Sequence, residues 1–396
     1  MSKKKVVLAF SGGLDTTYCV KYLSVERDLE VHTVLVNTGG FSNEELDKVE
    51  KHAYNLGSIS HSNLDCVEEF YNDAVKYLIF GNVLKNNTYP LSVSAERVFQ
   101  AMAIARYANE LNADYIAHGS TGAGNDQVRF DLTFGIIAPG IEVITPIRDM
   151  QLSRQEEIDY LKANGVEASW EKSKYSINKG LWGTSVGGQE TLTSHQTLPN
   201  EAYPSQLKNE GAQTIELLFD KGELKGIDGE SLNPVEAIIK LESIATQFAV
   251  GRGMHVGDTI IGIKGRVGFE AAAPMIIIKS HETLEKHTLT KWQMYWKEQL
   301  ANWYGMLLHE GQYMDPVMRN IEKFLTDTQE NVTGKVTVEL TPYNFNVIGI
   351  TSEHDLMNSK FGDYGEMNNA WTGEDVKGFT KILANQTKIY HAVNDK

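Results

Sequence analysis

The stretch Ser11-Gly12-Gly13-Leu14-Asp15-Thr16-Thr17 limits what this chain can fold into more than any other. It follows the apolar run Val6 to Phe10 and opens the amphipathic run Tyr18 to Leu23, which predicts a strand, a tight turn and a helix N-terminus. Such a turn offers unpaired backbone N–H groups and the positive end of a helix dipole, so it suits an anion, and glycine lets a phosphate approach the backbone. The Walker pattern requires a lysine after its glycines. None follows here, and an aspartate, Asp15, stands in the loop instead. The sequence therefore describes a phosphate loop but argues against a P-loop NTPase.

The pattern downstream alternates strands and helices. Val31 to Val36 reads as a second strand, Asn43 to Leu56 as a helix, and Val67 to Ile79 and Ala95 to Leu111 as two more helices flanking the irregular segment Asn86 to Ser92. Tyr115 to Ala117 and Ile141 to Thr145 read as strands, and Ser153-Arg154-Gln155-Glu156 is a capping box opening a helix that ends at Gly165. This order predicts an α/β domain with a parallel sheet and ligands at the carboxyl ends of its strands. A chain of 396 residues is long enough for about two or three domains. We place boundaries at 1–166, 167–360 and 361–396.

Past residue 166 the pattern becomes α+β. Lys174 to Gln189 reads as irregular, Lys221-Gly222 as a hairpin turn, and Asn233-Pro234 as the start of a helix ending near Gly251. Thr259 to Lys264 and Met275 to Lys279 are strand-like, Leu289 to Leu308 and Pro316 to Leu325 helical, and Val336 to Leu340 and Phe345 to Ile350 strands. Trp292, Trp296, Leu300, Trp303 and Leu307 recur at helical spacing and read as core. Val376, Phe379, Leu383, Tyr390 and Val393 form a stripe on a C-terminal helical tail, which predicts docking on another subunit.

Charge and cysteine usage narrow the function classes. A net charge of −15 with no long Lys/Arg stripe disfavours nucleic acid. Cys19 and Cys66 alone make neither a disulfide framework nor a thiolate zinc site, and they fit a reducing compartment. The N-terminal apolar run is too short for a signal peptide, and no later run approaches membrane-spanning length, so we expect a cytoplasmic enzyme.

The loop Ser-Gly-Gly-x-Asp-Thr-Thr resembles that of the N-type ATP pyrophosphatases. Taken with Tyr89-Pro90-Leu91 followed by Ser94 and Arg97, with His118-Gly119-Ser120-Thr121-Gly122-Ala123-Gly124-Asn125-Asp126-Gln127-Val128-Arg129-Phe130, and with Tyr175-Ser176 followed by Ser185, it resembles one family within that group, argininosuccinate synthase. The resemblance runs nearly end to end. It implies a nucleotide-binding domain of the ATP pyrophosphatase, HUP-like type, then an α+β synthetase and multimerisation domain, then a helical oligomerisation tail. It also implies a ligase of arginine biosynthesis that condenses citrulline and aspartate to argininosuccinate through citrullyl-AMP, releasing AMP and pyrophosphate, and a homotetramer.

By this resemblance ATP falls to Ala9, Phe10, Ser11, Gly12, Gly13, Leu14, Asp15, Thr16 and Thr17, to Val36 and to Gly119, with hydroxyls of Ser11, Thr16 and Thr17 on the phosphates. Asp15 is assigned to Mg²⁺, which prefers carboxylate, water and phosphate oxygens. Aspartate falls to Thr121, Asn125 and Asp126, with Asp126 on the incoming ammonium. Citrulline falls to Tyr89, Ser94, Asn125, Arg129, Ser176 and Ser185, with Arg97 and Arg129 as carboxylate clamps. Catalytic weight rests on Asp15 and Asp126. His118 reads equally as a packing or a catalytic residue.

Where relatives usually read Glu-Asn-Arg and further on Tyr-Glu, this chain has Gly257-Asp258-Thr259 and Phe269-Glu270. The family's glutamate and tyrosine help hold citrulline. Either Asp258 takes over, with Phe269 lining the pocket as a bare ring, or the true substrate is an Nα-acylated citrulline such as N-succinyl- or N-acetylcitrulline. From another class, the sheet and loop alone would serve a nucleotide-binding protein without catalysis, but Thr121, Asn125 and Asp126 would then have no purpose.

Overall fold

A computed structural model describes residues 3–166, 174–358, 364–366 and 370–395. Its first half is built on five parallel strands, β1 (Lys5–Ala9), β2 (Glu30–Asn37), β3 (Ser60–Asp65), β4 (Tyr115–Ala117) and β5 (Glu142–Ile144), in the order β3-β2-β1-β4-β5. Helices cover both faces, so β1 is buried on both. Val6 and Leu8 pack with Tyr18, Leu23 and Leu161 on one side, and Val7 packs with Ile104 and Phe134 on the other. Strand order reverses beside β1, between its neighbours β2 and β4. That crevice is where open α/β sheets take ligands, and both glycine-rich stretches leave strands there.

Local signals account for most of this half. Ser42 and Glu45 form a reciprocal capping box on the helix Asn43–Leu56, which Gly57 ends in a left-handed conformation at φ 99°. Ser153 and Glu156 do the same for the helix Arg154–Ala163. Two elements escape the sequence reading. β3 is a polar edge strand, Ser-His-Ser-Asn-Leu-Asp, with only His61 buried, so it carries little apolar alternation. The helix Asp126–Ile137 starts inside the second glycine-rich stretch, with Asn125 as its N-cap.

The second half carries two antiparallel sheets. One has the order β11-β12-β7-β6, from β6 (Ser176–Gly180), β7 (Gly183–Gly187), β11 (Arg252–Asp258) and β12 (Lys264–Glu270). The other has the order β10-β9-β8-β13-β14, from β8 (Gln213–Asp220), β9 (Glu223–Ile227), β10 (Glu230–Ser231), β13 (Gly334–Thr341) and β14 (Asn344–Thr351). The stretch read as irregular, Lys174 to Gln189, is therefore largely the β6–β7 hairpin. Its turn is pinned by Trp182, fully buried and donating from Nε1 to the Pro90 carbonyl at 2.9 Å. Gly183 has φ 111°, and a Cβ there would sit 2.7 Å from the Ala271 methyl, so no larger residue fits.

Three further expectations need correcting. Of Thr259 to Lys264, all but Lys264, which opens β12, is the turn that joins β11 to β12, closed by Thr259 N–H donating to the Ile263 carbonyl at 2.8 Å. Met275 to Lys279 lies inside the helix Ala272–Thr288, where burial of Ile276, Ile277 and Ile278 overrides their β preference. On the helix Lys291–His309 the period is right and the phase wrong. Trp292, Trp296 and Trp303 are 65%, 60% and 58% exposed, while Lys297, Ala301, Tyr304 and Leu308 face the core. The C-terminal helices Gly373–Leu383 and Asn385–Asn394 bury no residue against their own chain.

The largest apolar cluster unites the two halves, because Phe70 to Met102 pack with Trp182, Phe269 and Tyr304. Within it Lys297 pairs with Glu285 at 2.8 Å and donates to the Phe80 carbonyl at 2.7 Å. This buried charge pair ties the helix Lys291–His309 to the start of the loop that carries Tyr89 and Ser94.

Candidate active site

Two cavities open at the carboxyl edge of the parallel sheet. The larger, about 820 Å³, is lined from the phosphate loop by Ala9, Phe10, Ser11, Gly13, Leu14, Asp15 and Thr16. Val36 and, across the switch point, Gly119 and Thr121 line it as well. Gly12 shapes the loop instead, with φ 77°, a conformation that favours glycine. Gly13 is the extended N-cap of the helix Leu14–Val25, so the N–H groups of the first helical turn open toward the cleft. Ser11 Oγ and Thr16 Oγ1 lie 3.4 Å apart beside them. Thr17 departs from its expected role. It is fully buried, and its hydroxyl bonds His52 Nε2 at 3.0 Å, away from the cleft.

Beneath the loop Asp15 meets Glu157 of the helix Arg154–Ala163. Burial, then the neighbouring Asp15, pushes the Glu157 carboxyl up to about 8, which favours its protonated form and a hydrogen bond from it to Asp15. Burial raises Asp15 too, against that hydrogen bond. Among the described residues no cluster of three or more ligating side chains could hold a metal. Asp15 is the carboxylate that the phosphate loop itself brings to this cavity, so a cation arriving with a nucleotide's phosphates would find one protein ligand there.

His118 is buried at the edge of the larger cavity and is hydrogen-bonded at both ring nitrogens. Its Nδ1 accepts from the Ser120 N–H at 3.2 Å, which leaves Nε2 to donate to Asp131 at 2.9 Å. The ring braces the turn after β4, and Asp131 is held in turn by Arg148 at 2.6 Å.

The smaller cavity, about 240 Å³, is lined by Tyr89, Ser94, Arg97, Asn125, Asp126, Arg129, Ser185 and Asp258 among the predicted residues. Arg97, Asp126 and Asn178 line both cavities, so the two meet at one point. Asp126 is the hub there. Arg129 donates to one carboxylate oxygen at 2.8 Å and Arg97 to the other at 3.2 Å. Burial works to raise this carboxyl, but the two guanidinium groups outweigh it and hold it below the usual carboxylate range. The two arginines are therefore not open clamps. Arg129 also donates to the His309 carbonyl at 2.9 Å, and Arg97 to Gln100 at 2.8 Å. Asn125 accepts from the Ile260 N–H at 2.9 Å and so anchors the β11–β12 turn at the same place.

Several predicted residues stand apart. Ser176 is exposed on β6, away from the lining of either cavity. Phe269 is buried beneath Tyr89, ring centres 5.5 Å apart, and is core rather than lining. Asp258 lies at the rim, paired with Lys264 at 2.7 Å. The site also contains residues that sequence reasoning missed. Glu96 is buried, takes a hydrogen bond from Thr38 at 2.9 Å, and is pushed up to about 7 by burial against the pull of Arg97. His309, neutral because burial and Arg129 lower it to about 2, accepts from Ser94 and Arg129 at 3.3 Å each. His255 and Arg266 arrive from β11 and β12. Only Glu96, next to Arg97, carried any sequence signal.

A family model described as the Arginosuccinate synthase N-terminal HUP domain matches residues 5–167, and one described as the Arginosuccinate synthase C-terminal domain matches residues 175–390. The chain is 36% identical to the argininosuccinate synthase of Dictyoglomus thermophilum over 392 residues, covering 98% of each chain. It is 37% identical to that of Methanocaldococcus jannaschii over 387 residues, 97% of each, and 36% identical to that of Xanthomonas campestris pv. campestris over 406 residues, the full length of both.

Proposed function

The chain belongs to the argininosuccinate synthase family, and on that premise we propose that it uses ATP to adenylate the ureido oxygen of citrulline and then exchanges AMP for the amine of aspartate. The observation that carries this reading is the shared wall of the two cavities, at Arg97, Asp126 and Asn178. A nucleotide on the glycine loop and an acceptor in the smaller cavity would meet there.

In the first step the ureido oxygen attacks the α-phosphorus and pyrophosphate leaves along the loop, where helix N-terminal N–H groups receive its charge. In the second the aspartate amine, positioned by Thr121, Asn125 and Asp126 and freed of its ammonium proton to solvent, attacks the ureido carbon, and AMP leaves with the former ureido oxygen as the new C–N bond loses its extra proton to solvent. Mg²⁺, when bound, would neutralise the phosphates, with Asp15 as its carboxylate. Arg97 and Arg129 keep Asp126 ionised and correctly turned. Alignment of anionic substrates then supplies most of the rate. With ATP, Mg²⁺, aspartate and a citrulline-type acceptor, product chromatography should show AMP and pyrophosphate. ADP and orthophosphate would overturn the reading.

Among the described residues no helix is long and apolar enough to cross a membrane, and we place the enzyme in the cytoplasm by its cysteine usage and biosynthetic role. The homotetramer is proposed from the family. Its support here is the apolar stripe of the tail, Val376, Phe379, Leu383 and Tyr390, exposed along with the tryptophan face of the helix Lys291–His309. A chain ending before Trp371 should sediment as smaller assemblies. An unchanged, stable tetramer would remove the tail from that role.

A further inference from the structure

The charges around the smaller cavity do not suit the α-ammonium of a free amino acid. Its lining carboxylates are Asp126, which the ligase reading gives to the ammonium of aspartate, and Asp258, paired with Lys264 at the rim. Arg97, Arg129 and Arg266 line the same space, so the wall carries more positive than negative charge. An ammonium desolvated there would have no carboxylate of its own.

The wall near the rim is instead bare and neutral. Gly257 and Gly265 face each other across the β11–β12 ladder, and a Cβ on Gly265 would meet nothing closer than 3.4 Å. At Gly257 a Cβ would lie 2.6 Å from His255 Nε2, so the imidazole holds the space a side chain at 257 would need. His255 is 5% exposed, its ring stacks on Tyr89 with centres 5.2 Å apart, and its buried Nδ1 has no hydrogen-bond partner. Burial first, and then Lys85, lowers its pKa and keeps it uncharged. Lys85 itself is half-buried and forms no ion pair with a described residue.

We infer that the acceptor enters this cavity with its α-nitrogen acylated rather than as a free ammonium, an inference that rests on the ligase reading above and refines only its acceptor. An amide nitrogen carries no charge to be compensated, the uncharged His255 ring on the wall asks for none, and the bare backbone at Gly265 leaves room for the acyl chain. Asp258, the family-pattern substitute expected from the sequence, is already engaged by Lys264.

The test compares kcat/KM for citrulline, N-acetylcitrulline and N-succinylcitrulline, with ATP and aspartate saturating and pyrophosphate release as the readout. At least one acylated form should exceed free citrulline by tenfold or more. In the double variant His255→Ala/Gly257→Glu, which clears the ring and adds a carboxylate, that ratio should fall by at least tenfold. Free citrulline equal to or better than both acylated forms in the wild-type enzyme would overturn the inference while leaving the ligase reading intact. Pyrophosphate release with none of the three would overturn the ligase reading, and this inference with it.

Discussion

Asp126→Ala is expected to lower kcat/KM for aspartate by about a thousandfold, the equivalent of about 4 kcal/mol, and to affect the ATP requirement far less. Asp126 lies where the cavities meet and accepts from both Arg97 and Arg129. Its removal deletes the anion proposed to hold the incoming ammonium, takes from Arg129 its carboxylate partner, and leaves Arg97 with Glu96 alone at 3.4 Å. Those arginines line the acceptor cavity as well, so acceptor binding should weaken next. The phosphate loop shares none of these bonds, and nucleotide binding should persist. Initial-rate kinetics with each substrate varied in turn would check the order. Equal losses for all three substrates would indicate a folding defect instead. Asp126→Asn keeps the shape but not the charge, and should fall between.

Lys297→Met should destabilise the protein by about 3–5 kcal/mol, because it leaves the Glu285 carboxylate buried without its charge partner. Lys297 is 2% exposed, and Glu285 not at all. Glu285 keeps hydrogen bonds from Asn82 at 2.6 Å and from Gln329 at 2.9 Å, which compensate only in part. Lys297 also donates to the carbonyl of Phe80, just ahead of the loop that carries Tyr89 and Ser94. Chemical denaturation would measure the loss. The double variant Lys297→Met/Glu285→Gln should recover much of it, since a neutral pair of similar volume avoids the stranded charge. A single variant as stable as the wild type would show that the pair contributes nothing to stability.

What could be read from the sequence was what is decided locally. The phosphate loop, the capping box at Ser153, and the helix Asn43–Leu56, whose residues agree with the expectation at both ends, depend on neighbours a few residues away. Features set by distant partners were not legible. His309 reaches the site because its carbonyl and ring meet Arg129, which is remote in the chain. His255 reaches it through the pairing of β11 with β12. The tryptophans of the helix Lys291–His309 have a helical period, but the surfaces around Lys297 and Tyr304 decide which face is buried. Thr17 has the same hydroxyl as Thr16. Only the approach of His52 shows that it turns inward.

The central claim is that the ureido oxygen is transferred to phosphorus before the aspartate amine attacks carbon. It is tested most directly by turning over an acceptor labelled with ¹⁸O in the ureido group, citrulline or its Nα-acylated form, together with ATP and aspartate, and by analysing the AMP produced by mass spectrometry. The account predicts one ¹⁸O on the phosphate of each AMP formed. Unlabelled AMP, or ADP in its place, would contradict it.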